Sequence, residues 1–154
     1  MQHNASAETG ERAGQVASAM QQRCLGVRVG RLHRLVARRF EQALRPTGLS
    51  ISQMEILSAL VVAAAPVRPG DLAGWLAIER STMSRNLTLM ESRGLVLTTE
   101  TSPTGRSQKV TISAAGTAAL ADAESAWTQA QDAVSRTLGP DAVPVLDAWL
   151  TAMD

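Results

Sequence analysis

The sequence has no tyrosine, one phenylalanine, one cysteine and two histidines in 154 residues. Each scarcity excludes something. The single thiol, Cys24, has no partner for an internal disulfide, and no Cys/His spacing suits a metal. A reducing cytoplasm is the simplest setting for such a chain. With His3 in a polar leader and only His33 elsewhere, no nucleophile–histidine–acid set can be assembled. A glycine-rich phosphate loop and a paired-carboxylate arrangement are also missing, so neither catalysis nor a bound cofactor is expected. No apolar run approaches the roughly 18 residues of a membrane span, so no membrane association is expected. The opening MQHNASAETGERAGQ has no apolar centre. It reads as a disordered tail over residues 1–20 rather than a secretory signal.

Hydrophobic residues make up 45 % of the chain, enough for a packed core, and the length suits one domain with helical extensions. Net charge is +1, but it is unevenly spread. From Arg23 to Arg45 inclusive there are seven arginines and a single acid, Glu41, whereas from Thr111 onward six acids face only Arg136. Lys109 is the sole lysine. An arginine stripe is usually a solvated face, and contact with DNA backbone or an anionic ligand is the alternative.

Periodicity predicts a first helix over 22–44. Leu25, Val29, Leu32, Val36, Phe40 and Leu44 fall on one face, with Arg31, Arg34, Arg38 and Arg45 opposite. Pro46 and Gly48 end it. Ser50 and Gln53 have the spacing of a capping box for the next helix, flanked by Leu49 and Met54 as a hydrophobic staple. Met54, Leu57, Leu60 and Val61 form its buried stripe. Two short helices follow, 69–76 and 80–93, with Pro69 suited to a first turn and Gly94 to a left-handed stop. The period then changes. Segments 95–100 and 108–112 are β-prone and are joined by the polar loop 101–107, which predicts a hairpin. Ser113 caps a long helix over 114–138. Gly139-Pro140 breaks it, and a last helix carries Val145, Leu146, Trp149, Leu150 and Met153. Pro144 is tolerable there because it lies in the first turn.

Two short helices with a tight turn, followed directly by a hairpin, make a winged helix-turn-helix. The expected fold is therefore mainly α with a small β-hairpin wing. In such modules the second short helix enters the major groove of double-stranded DNA. Here Met83, Leu87 and Met90 are expected to pack inward. Ser81, Thr82, Ser84, Arg85 and Thr88 project elsewhere and are candidate DNA contacts, with arginine able to grip guanine through two hydrogen bonds. Arg106 and Lys109 on the hairpin are candidates for the minor groove or backbone. The plainer reading of the hydroxyl residues is that they only favour a helix start.

The ordered set GLSISQ at 48–53, DLA at 71–73, STMSRNL at 81–87, ESRGLV at 91–96, Arg106 and VTISAAG at 110–116 resembles the MarR (multiple antibiotic resistance regulator) family. The likeness runs from about Cys24 to the C-terminus. It implies a homodimer in which residues 21–47 and 114–154 form a helical dimerisation region and residues 48–113 form the DNA-binding domain. It further implies a regulator, usually a repressor, that reads a pseudo-palindromic operator and is released by a small aromatic or anionic effector held between dimer helices and winged lobe. Three positions depart from the family pattern. Thr104 stands where an acid usually steadies the wing arginine, Arg68 where Ser or Thr usually starts the first short helix, and Trp75 is larger than expected there.

The candidate ligand residues are His33, Arg34, Trp75 and Trp127. For His33 a half-buried structural role at the edge of the apolar stripe competes, and Trp127 and Trp149 fit a dimer core. Cys24 lies where some MarR-like proteins sense peroxides, although their accompanying tyrosines are absent. Oxidation of Cys24 on the same scaffold is thus an alternative switch, and a winged helix used only for protein contacts is another reading.

Overall fold

In the computed structural model, which describes residues 2–100 and 108–153, the chain forms eight α-helices and one antiparallel hairpin among the described residues. The helices are α1 (Gln2–Arg23), α2 (Leu25–Leu44), α3 (Ile51–Ala63), α4 (Pro69–Trp75), α5 (Arg80–Ser92), α6 (Ala114–Asp122), α7 (Glu124–Leu138) and α8 (Ala142–Met153). Strands β1 (Val96–Glu100) and β2 (Gln108–Ile112) stand between α5 and α6. The chain divides into two compact units, residues 1–38 and 39–154, with the boundary inside α2. Among the described residues, no single helix is long and apolar enough to cross a membrane.

The first unit corrects the expected disordered tail: Gln2–Arg23 is helical. The sequence reading relied on the lack of an apolar stripe, and residues 8–23 are indeed all exposed, Val16 and Met20 included. Alanine, glutamine, glutamate and arginine, however, have high intrinsic helix propensity and need no buried face to favour the helix. Gln22 Nε2 adds a one-turn bond to Ser18 Oγ at 3.0 Å. Cys24 separates α1 from α2, although Cys24 N–H still donates to the Met20 carbonyl and Arg28 N–H to that of Cys24. The Arg28 guanidinium also donates to the Gln22 carbonyl.

The second unit holds the core. Leu44, Ile56, Leu57, Leu72, Met83, Met90, Val96 and Val110 are its largest fully enclosed side chains. They come from α2, α3, α4, α5 and both strands, so every element of the helix-turn-helix and its hairpin contributes. The start of α3 forms as expected. Ser50 Oγ accepts from Gln53 N–H at 3.2 Å, and Gln53 Oε1 accepts from Ser50 N–H at 3.2 Å. Two further partners reinforce it: Glu41 Oε1 accepts from Ile51 N–H, and Arg93 Nη1 donates to the buried Gln53 Oε1 at 3.3 Å. The end of α5 is thereby tied to the beginning of α3.

Hairpin register pairs Val96 with Ile112, Thr98 with Val110 and Thr99 with Lys109. Val67 adds a two-bond bridge to Val110 on the other side of β2, at 3.0 and 2.8 Å. After the hairpin, Ser113 binds the chain back to the lobe. Its Oγ donates to the Gly94 carbonyl at 2.6 Å and accepts from Gly116 N–H at 2.9 Å, while its N–H donates to the Leu95 carbonyl. Helix α6 then passes so close to Leu95 that a Cβ on Gly116 would lie 2.0 Å from that carbonyl oxygen.

The expected single helix over 114–138 is broken at Ala123 into α6 and α7. The Ala123 methyl is fully buried, and Trp127 N–H still bonds its carbonyl, so the break is a local irregularity in a nearly continuous ladder. Helix α8 forms where predicted but buries none of its residues within the chain.

Candidate nucleic-acid interface

The candidate interface centres on α5. Met83, Leu87 and Met90 are 1 %, 7 % and 0 % exposed, and they lock one face of the helix into the core. On a wheel of about 100° per residue, Arg85 lies nearly opposite their mean direction, with Ser81 beside it. Both are exposed, as are Ser84 and Thr88, whereas Thr82 is half-buried. Arg85 Nη2 donates to Thr82 Oγ1 at 3.3 Å, which places the guanidinium along the outer surface of the helix. Thr88 Oγ1 donates to the Ser84 carbonyl at 3.0 Å. That bond can be exchanged for one to a phosphate or base without leaving a buried group unpaired.

Ser84 and Thr88 occupy the flank that faces the hairpin. With Arg80, Glu91, Thr98 and Gln108 they line a cleft of about 290 Å³ between α4, α5 and the two strands. Arg80 was not among the predicted residues. Its position at the head of α5 and in this cleft adds a cation to the hairpin-facing side.

The turn that presents α5 has two features that sequence reasoning missed. Helix α4 ends in a Schellman motif: Ala77 N–H bonds the Gly74 carbonyl at 3.2 Å and Ile78 N–H bonds that of Ala73 at 2.9 Å. Ala77 takes the left-handed position at φ 49°, where glycine is the usual occupant. The matching motif at the end of α5 uses Gly94, at φ 70°. The second feature is the cap of α5. The Glu79 carboxylate accepts from Ser81 N–H at 2.9 Å, from Thr82 N–H at 3.1 Å and from the Ser81 hydroxyl. The Ser81 hydroxyl bond is the largest of the influences holding this carboxyl below its ordinary range, followed by the Thr82 N–H; Arg85 adds a smaller contribution. Glutamate ranks low among capping residues, so only the acid two places before a hydroxyl signalled it.

Of the hairpin candidates, Lys109 is half-buried on β2, opposite Thr99. Arg106 and Thr104 lie outside the described residues. Lys109 also lines a second groove, of about 290 Å³, with Pro66, Arg68, Asp71 and Trp75. Trp75 is 61 % exposed there, and Arg68 precedes α4 without a side-chain cap, as expected.

The four candidate ligand residues lie on three helices. His33 and Arg34 are on α2 in the first unit, and Trp75 and Trp127 are on α4 and α7 in the second. His33 is exposed rather than half-buried, which corrects the structural role considered for it. Arg34 is exposed and reaches back along α2, its Nη1 being 3.3 Å from where a Cβ on Gly30 would stand. Cys24 is half-buried at the junction of α1 and α2. No cluster of His, Cys, Asp and Glu among the described residues is placed to hold a metal.

No family model and no curated protein matches the chain. Solved structures do. The M. tuberculosis transcriptional regulator MosR is 26 % identical, covering 86 % of this chain and 95 % of its own, with a TM-score of 0.73. The transcriptional repressor CouR bound to a 23-mer DNA duplex is 28 % identical, covering 87 % and 94 %, with a TM-score of 0.71. CouR from Rhodococcus jostii bound to p-coumaroyl-CoA aligns at 21 % identity over 84 % and 90 %, with a TM-score of 0.70. Wild-type MarR from E. coli, at 19 % identity over 84 % and 96 % and a TM-score of 0.64, shares the fold.

Proposed function

Because the chain has the fold and ordered motifs of the MarR-type winged-helix regulators, we propose that it is a DNA-binding transcriptional repressor that works as a homodimer in the cytoplasm. The observation that carries this reading is the division of α5 into a face closed by Met83, Leu87 and Met90 and an outward face headed by Ser81 and Arg85. Such a helix can enter the major groove without disturbing its own core. Arg85, with the hydroxyls of Ser81, Thr82, Ser84 and Thr88, supplies sequence preference, and Arg106 and Lys109 add backbone affinity.

Dimerisation is supported by α8. Val143, Val145, Leu146, Trp149, Leu150 and Met153 are all exposed in the single chain, and Trp127 and Leu138 of α7 join them. Twelve residues with so apolar a composition need a partner surface, and two-fold pairing is the commonest way to provide one. Residues 21–47 and 114–154 are proposed as the dimerisation region and 48–113 as the DNA-binding domain.

CouR, which binds p-coumaroyl-CoA, supports control by a small aromatic or anionic effector, with His33, Arg34, Trp75 and Trp127 as the residues to test first. The effector releases DNA to the extent that it prefers the conformation that does not bind. No catalytic role or cofactor enters this reading.

A mobility-shift titration against the duplex the protein selects and against a scrambled duplex, at two salt concentrations, tests the proposal. Affinity should fall steeply with salt for both duplexes, with a preference for the selected one. Arg85→Ala should cost roughly 1–3 kcal/mol of that preference and leave the dimer intact. Equal affinity of the wild type for both duplexes would exclude sequence-specific regulation.

A further inference from the structure

The head of α5 is where a recognition helix has most to offer a phosphate. Its first amides lack partners within the helix, and its dipole favours negative charge. In this chain that position is already filled. The first intrahelical bond runs from Met83 N–H to the Glu79 carbonyl at 3.0 Å. Ahead of it, the Ser81 and Thr82 amides both donate to the Glu79 carboxylate, at 2.9 and 3.1 Å. The Ser81 hydroxyl donates there too, which commits its only proton. Ser81 can therefore accept a hydrogen bond but has none to give while Glu79 is in place. A phosphate approaching here would need the same three donors and would meet a like charge.

Building on the DNA-binding reading, we propose that Glu79 is a specificity-determining residue: its carboxylate occupies the phosphate-binding donors of α5 and so suppresses binding to duplexes of the wrong sequence. The two components of DNA affinity respond differently to such a group. Attraction to any duplex grows with the number of phosphates neutralised. Discrimination comes from side chains that reach base edges. Glu79 reduces the first at the head of α5. It leaves the second to Arg85, whose one hydrogen bond from Nη2, to Thr82 Oγ1 at 3.3 Å, is weak enough to exchange for a base. The Arg85 charge is also felt by Glu79.

The test uses the full-length protein with two duplexes, the one it selects from a random pool and one of unrelated sequence, titrated across a salt series. Glu79→Gln keeps a carbonyl acceptor for the Ser81 and Thr82 amides but removes the charge. Glu79→Asp keeps both charge and cap, and thermal unfolding of each variant verifies its fold. For Glu79→Gln, affinity for the unrelated duplex should rise roughly fivefold. Its dependence on log salt should steepen by up to about 0.9, because losing the repelling charge is equivalent at most to neutralising one more phosphate. Affinity for the selected duplex should rise less, so discrimination falls, and Glu79→Asp should behave as wild type. Unchanged affinity and salt slope in Glu79→Gln, or an equal loss on both duplexes as from a merely weakened cap, would overturn the inference while leaving the DNA-binding reading standing. A wild type that prefers neither duplex would overturn both.

Discussion

The winged lobe and the C-terminal helix treat their apolar residues in opposite ways. From Leu49 to Val110 the lobe encloses leucine, isoleucine, methionine and valine from three helices and two strands. Helix α8 is no less apolar, yet Trp149, Leu150 and Met153 are 58 %, 64 % and 86 % exposed. The lobe is closed by contacts within one chain, whereas α8 leaves its apolar residues open there. A hydrophobic stripe alone does not distinguish these cases. Only the packed chain shows which stripes have found a partner.

The contrast is most directly broken by placing charge on the open side. The double substitution Leu146→Asp and Leu150→Asp should leave the lobe folded but convert the protein to monomers in analytical ultracentrifugation. Operator affinity should fall roughly a hundredfold or more, because the second half-site is no longer linked to the first. Retention of the dimer would show that α8 is not its interface.

The closed side is tested by Gly116. With the Leu95 oxygen 2.0 Å from any Cβ at that position, Gly116→Ala must push α6 away from the hairpin, at a cost of about 3 kcal/mol of unfolding free energy. Denaturant titration reads this, and a loss below about 0.5 kcal/mol, the range of an ordinary surface substitution, would show that the contact yields freely. The smallest expected effect lies in the turn between α4 and α5. Ala77 sits at a positive φ that costs an L-residue about 1–2 kcal/mol. Ala77→Gly removes that strain but adds chain entropy to the unfolded state, so a net gain of about 0.5 kcal/mol is expected in the same measurement. A loss would show that the alanine methyl contributes packing that outweighs the strain.

These residues also mark where the sequence was legible. The Ser50–Gln53 box and the Gly94 stop could be read because each uses the residue type its local geometry favours. The inward side of α5 could be read because Met83, Leu87 and Met90 keep the helical period. Ala77 and Glu79 were missed because each performs a task usually given to another residue type: a left-handed stop without glycine, and a cap without a short side chain. The interruption at Ala123 carries no proline or glycine to announce it. Helix α1 was missed for a different reason, since helix propensity without an apolar face leaves no periodic signal. The candidate effector residues could be named only one at a time, because a linear pattern does not reveal which side chains share a cavity.

Selection of duplexes from a random pool by the purified full-length protein tests the central claim most directly. The account predicts enrichment of an inverted repeat whose half-sites are separated by about one helical turn, 10–10.5 base pairs centre to centre, or a multiple of it. Two chains should occupy each duplex. A pool that remains random after repeated selection, or enrichment of a single undivided site bound by one chain, would contradict it.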